Sequence, residues 1–381
     1  MKLVASASKT DANDSMSRCT PVHPLHLCPR TSSYHILNSC NSRTPVFYCM
    51  NLVQFKDTRG DRCVGVPGKD GSELRILKGF SSVYDLAFAA IKAGRALTEF
   101  TEAQLSERTE SYDAVVNGGR LLVPLDHPDP SRCWVSLTGL THLGSAKSRD
   151  AMHAKLASDP DKLTDSMKMF RLGYEGGKPA PGEIGVAPEW AFKGDGQCLV
   201  APEQPISSPA FAGDGGEEAE VAGLYVIDQQ GVPVRVGFTL GNELSDHMIE
   251  RQNYLYLAHS KLRECSIGPE LYLGNLPSNL AGTVRILRNG KPVWSGSIVS
   301  GEENMTHTIA NLEHHHFKYP MFRRPGDVHV HFFGASILSC QDGFSPESND
   351  VVEIDCPPFG RPLRNPLTRA RDEGLIAVRR I

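Results

Sequence analysis

Apolar and polar positions alternate in short runs over most of the chain, and they take a helical spacing in only a few places. Leu52–Phe55, Arg62–Val66 and Leu74–Leu77 read as strands. They are separated by turns at Asp57–Gly60 and Gly68–Gly71. Helical spacing follows over Ser81–Ile91, with serines placed to cap it, and again from Leu97 to Ser106. Val123–Pro130 is rich in proline and reads as a linker, and Val135–Leu137 opens a further strand. Residues 145–171 carry polar and helical signals. Beyond them short strands and Gly/Pro turns dominate, interrupted by helical patterns over Asp246–Arg263 and Met305–Tyr319, the second preceded by the capping pattern Ser300–Glu303. Residues 1–49 show no periodicity and are rich in Ser, Thr, Asn, Pro, Cys and His. They lack the charged and apolar regions of a signal peptide, so they are expected to be disordered or a non-native extension ahead of a start at Met50. The layout is α+β and mainly β: a small α/β domain over 50–127, then a predominantly β domain over 128–381.

The stretch that organises the second domain is Glu217–Ile227, which begins acidic and ends apolar. After Asp228-Gln229-Gln230-Gly231 the chain returns as Val232–Glu243. The two arms predict an antiparallel hairpin. Strand side chains alternate, so Glu218 and Glu220 share a face, and Glu243 falls across from Glu217–Glu218. Three carboxylates at one hairpin end repel one another. They call for a cation, and a hard divalent ion with oxygen ligands fits best. A solvated acidic loop leading into a strand is the plainer alternative.

Bulk composition removes several function classes. The net charge of −4 argues against a nucleic-acid partner. No run of about 18 apolar residues offers a membrane span. Ten cysteines are scattered without a C-x-x-C pair, which speaks against a zinc site and fits a reducing cytoplasm.

Histidines offer further chemistry. Successive residues of a helix lie about 100° apart, so His314, His315 and His316 cannot all face one ion. Ile309, Leu312, His316 and Tyr319 share a helical face instead. His329 and His331 share a strand face and are expected to be core histidines before they are metal ligands or substrate contacts. His247 is a candidate for proton transfer or for holding a ligand carboxylate, beside a helix cap at Ser245 or Asp246.

Five ordered blocks resemble the fumarylacetoacetate hydrolase superfamily, from about Met50 to Pro366. They are Glu218-Ala219-Glu220, Gly237–Glu243, Ser260-Lys261 ahead of Cys265–Pro269, Trp190–Gly194, and Arg324–Val328 with Phe333-Gly334-Ala335. The match is nearest to the bacterial branch of sugar-acid catabolism. The resemblance implies a β-roll catalytic domain, a homodimer, and Mg²⁺ (with Mn²⁺ or Ca²⁺ as alternatives) on Glu218, Glu220 and Glu243, with Glu217 a solvated neighbour. It implies Lys261 as an active-site lysine, acting either in proton transfer or as a salt bridge to the ligand carboxylates. Lys193, Arg263, Arg149, Gly334 and Ala335 would contact substrate. The chain departs from the family at Glu243, where Asp is usual, and at Ala335, where threonine is frequent. The lid motif H-x-x-E of the hydrolytic members is missing. Arg149, Asp150 and His153 stand in its region, with Asp150 and His153 as catalytic candidates. The implied substrate is a 2-oxo acid activated through a metal-stabilised enolate. Dehydration of a 2-keto-3-deoxy sugar acid (a pentonate) is the first expectation, and C–C hydrolysis of an acylpyruvate or other diketo acid is the alternative.

Overall fold

The central hairpin forms as the alternation requires. Strands β9 (Ala219–Ile227) and β10 (Pro233–Asn242) pair antiparallel, with Asn242 opposite Ala219 and Gly241 opposite Glu220. One register shift between Arg235 and Gly237 marks a bulge. Every residue of β9 is buried, although an exposed face is common in antiparallel sheets. The reason is packing on both faces. Ala222, Leu224 and Val226 enter one apolar cluster, while Ala219 and Val221 enter another.

This is a computed structural model, and it describes residues 50–142 and 165–381. The expected disorder of 1–49, and the candidates Arg149, Asp150 and His153, lie outside the described residues. In the larger sheet β9 sits between β10 and β15 (Val328–Phe332), and β15 pairs in parallel with β5 (Cys133–Leu137). On the other side β10 meets β12 (Leu271–Leu273), which pairs with β1 (Met50–Lys56). From β1 the sheet runs on through β2 (Arg62–Pro67), β3 (Glu73–Leu77) and β4 (Leu105–Ser111). Residues 50–127 therefore share a sheet with the rest of the unit Phe47–Ile381. They share its core as well: Leu52, Val64 and Leu86 pack in the same cluster as Val135, Leu224 and Val330. The proline-rich stretch is not a free linker, because Val123 and Leu125 are buried in that cluster. A second sheet of β8 (Ile206–Ser208), β13 (Leu280–Arg288), β14 (Lys291–Ser300), β16 (Val351–Asp355) and β17 (Leu363–Arg369) covers the opposite cluster.

The first helix, α1 (Val83–Ala93), is capped by the Ser82 side chain on the Asp85 N–H and ends at Gly94 in the left-handed region. Three helical expectations are corrected. The helix from Leu97 stops at Glu102 as α2, and Leu105–Ser111 is strand, because those residues complete the sheet edge beside β3. Between Asp246 and Arg263 the chain breaks into α5 (His247–Gln252) and α6 (Leu257–Lys261), joined by a 3₁₀ turn at Tyr254–Tyr256. The helix expected over Met305–Tyr319 is α7, Ile309–Phe317. Thr308 caps it, and the Glu302 carboxylate accepts the Ile309 N–H. Tyr319 therefore lies past the helix and is half exposed.

Candidate functional site

The acids meet where the hairpin geometry puts them. The Glu243 N–H donates to the Glu218 carbonyl at 2.9 Å, which extends the β9–β10 ladder by one rung and sets the two side chains on one face. Oxygen atoms of Glu218, Glu220 and Glu243 lie within 4.8 Å of one another, and all three residues are buried. Two lysines and a histidine hold them. Lys261 Nζ is 2.6 Å from Glu218 Oε1, 3.1 Å from Glu243 Oε2 and 3.3 Å from Glu250 Oε1. Lys193 Nζ approaches the far oxygen of Glu243 at 2.6 Å. His247 Nε2 is 3.1 Å from Glu218 Oε1. Glu220 accepts the Gly334 N–H at 2.7 Å. Gly334 has φ +96°, and a Cβ there would fall 2.1 Å from Thr141 Oγ1, so glycine is required where the chain turns past the acids.

Titration directions follow from burial and charge. Burial raises all three carboxyls. For Glu218 the Lys261 and His247 charges outweigh it and hold the group well below its ordinary value. For Glu220 the carboxylates of Glu218 and Glu243 add to burial, and the group is raised well above it. Glu243 is raised by burial against the opposing pull of Lys193 and Lys261. Burial works against the His247 imidazolium, but Cys340 and Glu218 facing it push the group up to about 11. Lys261 is likewise pulled down by burial and raised further by Glu218, Glu243 and Glu250, so it is an ammonium here. Lys261 is salt-bridged to the ligand candidates Glu218 and Glu243.

Glu218 and Glu220 open on a cavity of about 680 Å³ that is also lined by His247, Lys261, Gly334 and Ala335. Lys193 and Arg263 are not brought to it. Both are buried, Lys193 behind Glu243 and Arg263 beside Asp246 with NH2 to Oδ2 at 3.6 Å. Their charges serve carboxylates of the protein and do not face the cavity. Glu217 is a second correction. It is fully buried, and its two oxygens accept bonds from Ser339.

Several cavity residues escaped the sequence reading. Glu189 lies just past Pro188 and has no periodic context, yet its carboxylate faces the cavity against Gly139, where a Cβ would fall 1.8 Å from Oε2. Glu250, on the first turn of α5, lines it too. His142 reaches it from the end of β5, bonded to Ser300 Oγ at 3.1 Å, and burial pushes it down to about 4. Pairings far apart in sequence bring these groups together, and no local signal marks them. His316, His329 and His331 are packing elements. His316 is buried and bonded to His329 Nδ1 at 2.9 Å, and His331 to Thr138 Oγ1 at 3.0 Å.

Three buried carboxylates with room on their open side fit a hard divalent cation. Oxygen donors suit Mg²⁺, and the charge of Lys261 now does part of such an ion's work. Among the described residues no helix is long and apolar enough to cross a membrane.

No family model matches the chain, and no curated protein matches it by sequence. Solved structures do match. A 2-keto-3-deoxy-D-arabinonate dehydratase in its apo form aligns with a TM-score of 0.62 at 18% identity, over 85% of this chain and 100% of that one. The same dehydratase complexed with magnesium and 2,5-dioxopentanoate aligns at 0.60 and 18%, over 85% and 100%. A 5-carboxymethyl-2-hydroxymuconate delta-isomerase from Mycobacterium smegmatis aligns at 0.53 and 16%, over 84% and 100%. At these identities the likeness establishes the fold, which is the one the sequence motifs resemble.

Proposed function

We propose that the protein is a metal-dependent enzyme of the fumarylacetoacetate hydrolase type that removes water from a 2-keto-3-deoxy sugar acid. The observation that carries this reading is the set of three buried carboxylates, two of which, Glu218 and Glu220, line a cavity that Lys261 and Glu189 also line. Glu218, Glu220 and Glu243 would hold Mg²⁺. The ion supplies Lewis-acid polarisation of the 2-oxo group. A dehydratase of the same fold has been captured with magnesium and 2,5-dioxopentanoate, which supports the choice of ion and substrate class.

The residues of the chain divide the remaining work. Glu189 lines the cavity outside the ligand set, and its carboxylate is assigned to accept the proton from C3. The C4–O bond then breaks, and the hydroxide departs as water with the proton that Glu189 took from C3; the 2-oxo-3-ene acid so formed passes a proton from C5 to C3, and the resulting C5 enol ketonises to the semialdehyde. The Lys261 ammonium holds protons at Nζ beside the carboxylates and orients the substrate oxygens. His247 keeps Glu218 ionised, and the Gly334 N–H fixes Glu220.

A second reading is C–C hydrolysis of a diketo acid. Leu137, Leu140, Phe170, Ile337 and Leu338 give the cavity an apolar side that suits an acyl chain. One screen separates the two, offering 2-keto-3-deoxy pentonates and hexonates beside acylpyruvates, with Mg²⁺ and with EDTA. A semialdehyde formed without loss of carbon supports dehydration. Two carbon fragments support hydrolysis, and no Mg²⁺-dependent turnover of either class refutes both.

A further inference from the structure

The residue before the first metal-ligand candidate is a carboxylate that neither faces the cavity nor touches solvent. Glu217 Oε1 accepts the Ser339 N–H and Oε2 accepts the Ser339 hydroxyl, both at 2.7 Å. Glu217 and Ser339 are both fully buried. Burying a carboxylate is costly, and such a group persists where charge-assisted bonds hold something in place. What it holds is the middle of Gly334–Gln341. Leu338, Cys340 and Gln341 on either side of Ser339 line the cavity, as do Ala335, Ser336 and Ile337. The near end of that segment is tied to the same strand, Gly334 N–H to Glu220 and Phe333 N–H to the Val221 carbonyl. Its outer contacts lie elsewhere: Ser336 Oγ accepts the Val299 N–H, and Asp342 accepts the Trp294 indole.

We propose that Glu217 is a positioning residue that clamps the wall Gly334–Gln341 onto the strand carrying Glu218 and Glu220. Acids and wall are thereby assembled as one unit around the substrate; the substrate part of this inference rests on the reading above. Glu217 is not a ligand. Its role is to set how tightly the cavity encloses what the ligands bind.

The test compares Glu217→Ala, Glu217→Gln and Ser339→Ala with the unaltered protein. Amide hydrogen exchange over 335–343 is measured with β1–β2 as an internal control, Mn²⁺ affinity by titration calorimetry, and turnover on the substrate found by the screen. In Glu217→Ala both bonds are gone, and exchange over 335–343 should rise about tenfold or more, with the control strands unchanged. Mn²⁺ affinity should stay within about threefold, while KM rises roughly tenfold and kcat changes far less. Glutamine can accept the Ser339 N–H and donate to its hydroxyl, so Glu217→Gln should restore most of both. Ser339→Ala removes one bond without touching the acids and carries the test if Glu217→Ala fails to fold. Unchanged exchange in both Glu217→Ala and Ser339→Ala overturns the proposal. So does loss of Mn²⁺ binding in Glu217→Gln, which would make Glu217 a ligand. If no 2-oxo acid is turned over by the unaltered protein, the functional reading fails on its own, and exchange together with Mn²⁺ affinity still decides the clamp.

Discussion

Replacing Lys261 with methionine separates the ammonium's service to the acids from any service to a substrate. Its Nζ lies 2.6 to 3.3 Å from three carboxylates, the buried Glu218 and Glu243 and the half-buried Glu250. Methionine keeps the length of the side chain and removes the charge. Breaking a buried ion pair by deleting one partner costs about 3–5 kcal/mol, because the remaining charges are left uncompensated. That loss should appear in EDTA as a lower urea midpoint. With Mg²⁺ present the ion supplies the missing countercharge, so part of the loss returns as binding energy. Recovering about 1.4 kcal/mol corresponds to tenfold tighter Mg²⁺ binding by the variant. Uncompensated buried acids take up protons, which must leave when the ion binds, so the gain should be larger at pH 8 than at pH 6. Titration calorimetry at the two pH values and urea unfolding with and without Mg²⁺ make the measurement. If the variant bound Mg²⁺ no more tightly than the parent at pH 8, Lys261 would not be the cation that stands in for a metal, and the ligand assignment would lose its main electrostatic support.

Other perturbations test the remaining parts. Glu220→Gln preserves a partner for the Gly334 N–H but removes a ligand charge, and it should abolish the thermal stabilisation by Mg²⁺, which amounts to about 2.7 kcal/mol at a hundredfold excess over Kd for a competent site. Glu189→Gln should lower kcat by roughly 10²–10⁴ with Mg²⁺ affinity unchanged, and a full-rate variant would remove Glu189 from the proton transfer. Burial lowers His316 to about 3, so the folded state stays neutral there while the unfolded chain takes up a proton below about 6.5. Stability is therefore full above that value and is lost as pH falls toward the folded one, by about 2 kcal/mol at pH 5 for this residue alone. Urea unfolding at pH 8 and pH 5 should find that loss, and His316→Gln should flatten the slope. Gly334→Val should fail by collision with Thr141, visible as lost Mg²⁺ response before loss of fold.

The local code wrote the strands, the capped helix α1 and the acid-bearing hairpin. Alternation puts Glu218 and Glu220 on one face whatever surrounds them, and the short turn fixes the return strand closely enough to bring Glu243 opposite. Those rules act between neighbours, so the sequence alone decided the three carboxylates. It could not tell that Leu105–Ser111 is a sheet edge, because β3 supplies the partner that turns helical spacing into strand. Nor could it tell Glu217 from a solvated acid, since Ser339, 122 positions away, is what buries and bonds it. The same holds for Lys193, a charge that looked free to meet a substrate and is spent on Glu243, and for Glu189 and His142, which reach the cavity through long-range pairing. Tertiary structure decides such cases because a buried charge is governed by the partners that replace water around it, and those partners come from distant strands.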